Sequence, residues 1–504
     1  MELDYPVKNR NEALELADTY HKIVVEECRG MNKGLFFNNV SILDILRSPI
    51  IQRAADSFQG SVTKKVSYNQ FFKHRLLKSC INNLLGSKRD YHNTKINFKD
   101  MISKTLLIIP RTDKHLRDLI LVCKRVNTLT GFDTLWVTFS NNHYHRVIKN
   151  GFKVLLVNDI NIPTITDYIK VFFLWKRLMK LLNKIKFTPK LKSTSWSLFI
   201  SSIEYSIASQ LKDLWVSNKV LTHLFKAVKP KGMLIGNPNT MEGRLAGMMS
   251  NINKVPTITI QHGQISEFDP IWKNPKADII CVWGEQAKSA LLKLGVLPSK
   301  IVKTGAPWLD EWNSKAKPNH HNQKQVLIAF SGAGHLVGLD EHKAAIEKVF
   351  KASQQLIDYT FIFRLHPKDR KEYYEDIATR FPNSKVVIHK PQTMDDTIHN
   401  QLAASLLLLT ISSTAAIDAM LMRVPVITLG RLDGVSSPDY VTYGATNHVP
   451  CDELLGPVIK DIVVNGQNQD KQFNANKYVQ EYYTNIDGNA SDEVVKVVKQ
   501  LMSY

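Results

Sequence analysis

Acidic residues are scarce in this chain. Its 504 residues hold 46 Asp and Glu against 66 Lys and Arg, a formal net charge of +20. Such an excess favours an anionic partner: nucleic acid, a membrane surface or a phosphorylated substrate. Cysteine is scarce as well. Cys28, Cys80, Cys123, Cys281 and Cys451 are scattered, form no CxxC pair and are odd in number. That argues against a disulfide framework and for a reducing cytoplasm. No run of about 18 uncharged apolar residues occurs, so no transmembrane helix is expected. The opening residues, Met1 to Tyr20, are polar and acidic, unlike a signal peptide. There is no internal repeat, no low-complexity tract and no Walker loop, because no Gly-Lys-Ser/Thr follows a glycine-rich turn. No metal site is expected: His320 and His321 have no further Cys or His at ligand spacing.

What the chain does have is a repeated alternation of apolar strands and helices. At this length two or three domains are expected. Residues 1–100 read as a helical accessory region. Strand patterns then begin at Thr105–Ile109, Thr134–Phe139 and Lys153–Asp159, with helical stretches between them. The alternation predicts a parallel sheet with crossovers, a Rossmann-like domain over 101–312. The polar stretch 313–324 reads as a linker. A second α/β domain is expected over 325–475, with closing helices over 476–504.

The stretch Leu406–Gly430 shows the pattern most plainly: an apolar run, the polar turn Ser412-Ser413-Thr414, a helix-forming run and a second apolar strand. That is a βαβ unit. Its turn falls where open α/β sheets bind ligands and where helix N–H groups attract phosphate. A simple helix cap is the plain alternative. Two other strand ends in this half are polar. Ser331-Gly332-Ala333-Gly334 lets backbone approach an anion. Arg364-Leu365-His366-Pro367-Lys368 gathers donors suited to a diphosphate. In the first half, the strand Pro256–Ser266 carries Gln261-His262-Gly263, a position for a catalytic or a structural histidine. Glu242 falls in the first turn of a helix with Thr240 as N-cap.

Residues 168–192 carry eight Lys or Arg and no acid, interleaved with Phe, Trp, Leu and Ile. Such a helix reads as a membrane-surface element, with a solvated basic face as the alternative. Nucleic acid is not expected, because no recognised module accompanies the charge.

With these residues placed, RLHP at Arg364–Pro367 and SSTAAIDAMLMRVPVI at Ser412–Ile427 resemble the nucleotide-binding half of GT-B glycosyltransferases. The pattern is similar to capsule and lipopolysaccharide sialyl- and Kdo-transferases and to CDP-glycerol glycerophosphotransferases. IQHG at Ile260–Gly263, the stretch Val282–Asp310 and DGNAS at Asp487–Ser491 resemble polysaccharide-biosynthesis members. The resemblance implies an α/β GT-B fold, two Rossmann-like domains facing a cleft, with a helical N-terminal extension. It implies a metal-independent glycosyltransferase without a cofactor, moving a sugar, with a CMP-linked acidic sugar as one candidate, from a nucleotide-sugar donor to a glycan or lipid-linked glycan acceptor. Such an enzyme would sit peripherally on the inner face of the cytoplasmic membrane, and nucleic acid would not be a partner. By the same resemblance Arg364, His366, Pro367, Lys368, Ser412, Ser413 and Thr414 would bind the donor, and Glu242 or His262 would be the catalytic base; Ser331, Gly332 and Gly334 join the donor site on the reading of their strand end. The alternatives are a CDP-polyol phosphotransferase, a UDP-sugar 2-epimerase of the same fold, and a non-catalytic basic scaffold.

Overall fold

The computed structural model describes residues 7, 10–30, 36–37, 40–58, 68–84, 104–160, 163–186, 193–311, 324–332, 337, 339–366, 369–391, 397–430 and 438–502. Gly334, Pro367, Lys368, residues 187–192 and nearly all of the expected linker lie outside them. The chain divides into two units, Met1–Asp310 with Asn485–Tyr504, and Glu311–Thr484.

In the first unit β1 (Phe36–Phe37) and β2 (Val40–Ser41) form a small antiparallel pair. The main sheet holds β3 (Thr105–Ile109), β4 (Asp133–Thr138), β5 (Lys153–Leu156), β6 (Gly232–Ile235), β7 (Thr257–Ile260), β8 (Ile279–Val282) and β9 (Ile301–Lys303). Its order is β5-β4-β3-β6-β7-β8-β9, and every pairing is parallel. All of β3, β6 and β7 is buried, as a parallel sheet covered on both faces requires. The order reverses between β3 and β6, so the carboxyl ends of these strands flank a crevice suited to ligands.

The second unit holds β10 (Gln325–Ile328), β11 (Thr360–Arg364), β12 (Val386–His389), β13 (Leu407–Thr410), β14 (Val426–Leu429) and β15 (Asn447–Val449). Its order is β12-β11-β10-β13-β14-β15, again all parallel, with the reversal between β10 and β13. The two Rossmann-like sheets and the helical N-terminal region agree with the fold expected from sequence.

The domain boundaries differ from expectation in two places. The N-terminal helices are not a separate layer. Helix Arg10–Gly30 and helix Arg47–Phe58 share one apolar core with the 35-residue helix Thr194–Val228 and with β3 and β4. Tyr20 lies 5.2 Å from Trp196, ring edge to face. The short helix Ile42–Ile45 ends at Leu46, and helix Arg47–Phe58 starts ahead of Pro49, because proline is tolerated in the first turn of a helix. The last residues also belong to the first unit. Helix Ala490–Met502 buries Val494, Val498 and Met502 in the same cluster as Leu106, Leu116 and Trp136. Asp310 fixes its start, accepting from Ala490 N at 2.9 Å and Ser491 N at 2.7 Å.

Arg244 ties the N-terminal region to the sheet layer. Its side chain is fully buried on helix Met241–Ile252. It donates to Asp44 O and Asp44 Oδ1, each at 2.5 Å, and to Asn274 O at 3.0 Å. Burial alone would raise the Asp44 carboxyl, but Arg244 and Lys276 outweigh it and hold Asp44 down at about 2.

Candidate functional sites at two strand-order reversals

In the first unit the loops after β3 and β6 converge. Thr112 caps helix Asp113–Thr130, and His115 folds back so that Thr112 N donates to its Nδ1 at 3.1 Å. That bond leaves the ring proton on Nε2. The approach needs Gly236 at the end of β6: a Cβ there would lie 2.8 Å from His115 Cβ. The chain then turns through Asn237 and Asn239 into helix Met241–Ile252. Asn237 Oδ1 accepts from Asn239 N at 2.9 Å, and Thr240 Oγ1 accepts from Gly243 N at 3.2 Å. Gly243 is also required, since a Cβ would fall 1.8 Å from Asn237 O.

His262 follows β7. Gln261 braces its loop, accepting from Trp283 N at 2.7 Å and donating to Gly263 O at 2.9 Å. Asn237 Nδ2 donates to His262 Nε2 at 3.3 Å, which leaves the His262 proton on Nδ1. The His262 and His115 rings meet edge to face, 4.0 Å between centroids. Burial, joined by the neighbouring His262, drives His115 down to about 2. Burial, joined by Lys114, drives His262 down to about 4. Both rings are therefore neutral at pH 7. Glu242 is buried, with Arg111 Nε 3.2 Å from its Oε2. His115 Nε2, His262 Nδ1 and both side-chain polar atoms of Asn239 are buried without a hydrogen-bond partner among the described residues. Buried polar groups are ordinarily satisfied, so this concentration of unmet donors and acceptors marks a place for a polar ligand.

The two sequence-predicted residues of this unit thus lie just past neighbouring strands, Glu242 in the first turn of helix Met241–Ile252 after β6 and His262 in the loop after β7. His115, Asn237, Asn239 and Arg111 complete the group, and sequence reasoning had given them no role. Their signal was position: each lies just beyond an apolar strand, at a carboxyl end.

In the second unit the loops after β10 and β13 meet in the same way. Ser331 Oγ and Ser412 Oγ are 3.1 Å apart, bridging the strand-order reversal. Gly332 adopts φ +82°, and a Cβ on it would lie 3.0 Å from His366 Nδ1, so the His366 ring rests on this glycine. Ser413 N donates to Thr410 Oγ1 at 3.1 Å, and Ser413 Oγ accepts from Ala415 N at 3.2 Å. The helix after the turn, Ala415–Leu421, is only seven residues long, and Thr414 at its start is exposed and makes no side-chain cap. Arg364 Nη1 donates to Gln401 Oε1 at 2.9 Å. The structure thus gathers Ser331, Gly332, His366 and Ser412, with Ser413 and Thr414 next in the chain, and engages Arg364 with the helix Ile398–Ala403.

The His366 loop is anchored from beneath. Asp369 N donates to His366 O at 2.8 Å. Tyr374 OH donates to Asp369 Oδ2 at 2.6 Å, and His342 Nε2 lies 3.0 Å from the same hydroxyl. All three side chains are buried. Burial, and then the Asp369 carboxylate, push the Tyr374 hydroxyl far above its usual range, so it stays a donor. Tyr374→Phe is expected to cost about 1–3 kcal/mol, because it strips a buried carboxylate of one donor. Urea unfolding measures this, and an unchanged midpoint would show that the loop stands without the bond.

Comparison with known proteins bears on these sites. The family model described as UDP-N-acetylglucosamine 2-epimerase matches residues 271–499, less than half of the chain. No curated protein matches the sequence. Among solved structures, the UDP-GlcNAc 2-epimerase of Neisseria meningitidis bound to UDP-GlcNAc is 14% identical, with 79% of this chain and 100% of that chain covered and a TM-score of 0.50. A second UDP-N-acetylglucosamine 2-epimerase is 16% identical over 80% of this chain and 96% of its own, also at 0.50. MnaA of S. aureus with UDP is 18% identical over 79% and 97%, at 0.49. At such identities the first two likenesses carry the fold, a GT-B arrangement of two Rossmann-like units, and no more. The family match corrects the expected activity: it falls on an isomerase family, the UDP-sugar 2-epimerase that stood among the alternatives, where a glycosyltransferase akin to sialyl- and Kdo-transferases was the first expectation. The nucleotide-binding half of this fold serves both chemistries, which is why the short motifs pointed to transferases.

Proposed function

We infer that the protein takes a UDP-sugar and inverts its C2 centre, as a UDP-N-acetylglucosamine 2-epimerase. The observation that carries this reading is the family match over residues 271–499, which takes in Ser331, Gly332, His366 and Ser412–Thr414. In this reading the hydroxyl and backbone donors of Ser331, Ser412, Ser413 and Thr414 hold the diphosphate, with Gly332 admitting it and His366 adding a ring donor. Arg364, which gives one donor to Gln401, brings guanidinium charge to the same site. Gly334, Pro367 and Lys368 keep the donor-binding role that the sequence suggests.

Inversion at C2 breaks the C2–H bond and remakes it on the opposite face. One group must take the proton and another return one, with no net oxidation and no acceptor sugar. Glu242 and His262 are assigned to this work, with Asn237 fixing the His262 tautomer and Arg111 holding the Glu242 carboxylate. The unmet donors of His115 and Asn239 would contact the sugar ring.

The test is to incubate the protein with UDP-GlcNAc in D2O with no other sugar present, followed by NMR. The C2 epimer is expected to appear, with deuterium incorporated at C2. If UDP raised the melting temperature while neither epimer nor deuterium appeared, the isomerase reading would fall and the nucleotide site would stand.

A further inference from the structure

The basic stretch singled out in the sequence forms helix Ile165–Lys186, and the structure gives it a companion. Helix Tyr68–Leu84 packs beside it. Phe72 stacks on Trp175 at 4.6 Å, and Tyr168 OH donates to Ser79 O at 3.1 Å. These pairs set the two helices antiparallel, side by side.

Each helix buries one apolar stripe and exposes another. On the longer helix Val171, Trp175, Leu178, Leu182 and Ile185 face the core. Ile165, Ile169 and Phe173 recur at every fourth residue on the outer side and are 55%, 51% and 63% exposed. On the companion, Phe72 and Leu76 are buried, while Leu77 and Ile81 are 61% and 41% exposed. A helix serving only a core needs the inner stripe alone. The two helices carry mostly basic charge, with Arg75 paired to Asp213 of the neighbouring helix Thr194–Val228. The companion has Lys73, Arg75 and Lys78 and no acid. The longer helix has six Lys or Arg and a single acid, Asp167. Asp167 is buried and turned inward, accepting from Lys219 Nζ at 2.9 and 3.0 Å and from Trp215 Nε1 at 3.0 Å.

We propose that these two helices form one docking surface for an anionic lipid bilayer, with Leu77, Ile81, Ile165, Ile169 and Phe173 entering the acyl boundary and the surrounding lysines meeting lipid phosphates. Aliphatic side chains gain from a lipid interior and gain nothing from a nucleic-acid phosphate, whereas the basic rim gains from anionic headgroups. A second copy of the chain is disfavoured as occupant, since it would bring the same positive charge against this one. Contact is at the surface only: no described helix is long and apolar enough to cross a membrane.

The experiment is cosedimentation of the full chain with vesicles of phosphatidylcholine alone and with vesicles that also carry phosphatidylglycerol. Binding is expected only to the anionic vesicles, and it should weaken as salt rises. The exposed double variant Ile169→Ser with Phe173→Ser leaves the charge unchanged and should lower vesicle partition about tenfold or more. Lys180→Gln with Lys184→Gln should lower it as well. Thermal stabilisation by UDP, unchanged in both variants, shows that they fold. The proposal is overturned if the protein ignores anionic vesicles, if the serine variant binds them as tightly as the parent, or if RNA competes the protein off the vesicles at equal phosphate.

Discussion

Asparagine in place of His262 is expected to slow C2 inversion about 10²- to 10⁴-fold, the range that a positioned acid or base contributes. UDP should still bind, because the residues assigned to the nucleotide lie in the second unit. The amide can keep a contact with Asn237, so the loop braced by Gln261 should hold its shape. The pH profile gives a second reading. Burial and Lys114 hold His262 down at about 4 in the ligand-free protein. A group with a lowered value is neutral above it and charged below it. The acid limb of kcat/KM, which reports the free enzyme, should therefore fall near 4 rather than near the usual histidine value of about 6.5. Stopped assays over that range measure both effects. A variant with parental turnover would remove His262 from the chemistry.

Arg244→Ala should be the most damaging single change to stability, at about 3–5 kcal/mol, because it leaves a partly buried carboxylate and two carbonyl oxygens without their shared cation. The arginine makes bonds to Asp44 and Asn274, which come from different parts of the first unit. Lys276 remains 3.1 Å from Asp44 Oδ2 and softens the loss. Urea unfolding measures the cost, and Arg244→Ala combined with Asp44→Ala should recover part of it, since the stranded charge is then gone. The pair also fixes a pH dependence. Asp44 is held down at about 2, so its contribution is complete above the unfolded carboxyl value of about 4 and is lost as pH falls from there toward 2. A variant as stable as the parent would make the pair ornamental.

The strands of both sheets were legible because a parallel strand covered on both faces is a plain apolar run, as in Thr105–Ile109 and Leu407–Thr410. The reversal points were partly legible too, since Ser412 and His366 stand out as polar residues just past such runs. His115 was not legible. It lies 147 residues from His262, and only the pairing of β3 with β6 and of β6 with β7 brings the two segments together. The Tyr374–Asp369–His342 anchor was hidden for the same reason: a buried network leaves no local pattern. β15 was missed because Asn447-His448-Val449 is short and carries polar side chains at a sheet edge. The distinction between isomerase and transferase was not legible in the motifs, because those motifs describe how a nucleotide is held and not what is done to the sugar.

The return of Asn485–Tyr504 to the first unit makes the second unit an insertion in the chain. A ribosome therefore releases the middle of this protein complete while its beginning is still unfinished. Until helix Ala490–Met502 emerges, the apolar cluster containing Leu106, Leu116 and Trp136 lacks the valines that cover it. A chain lacking that helix would carry a well-formed interior segment and an open first unit, the kind of product that chaperones and proteases remove.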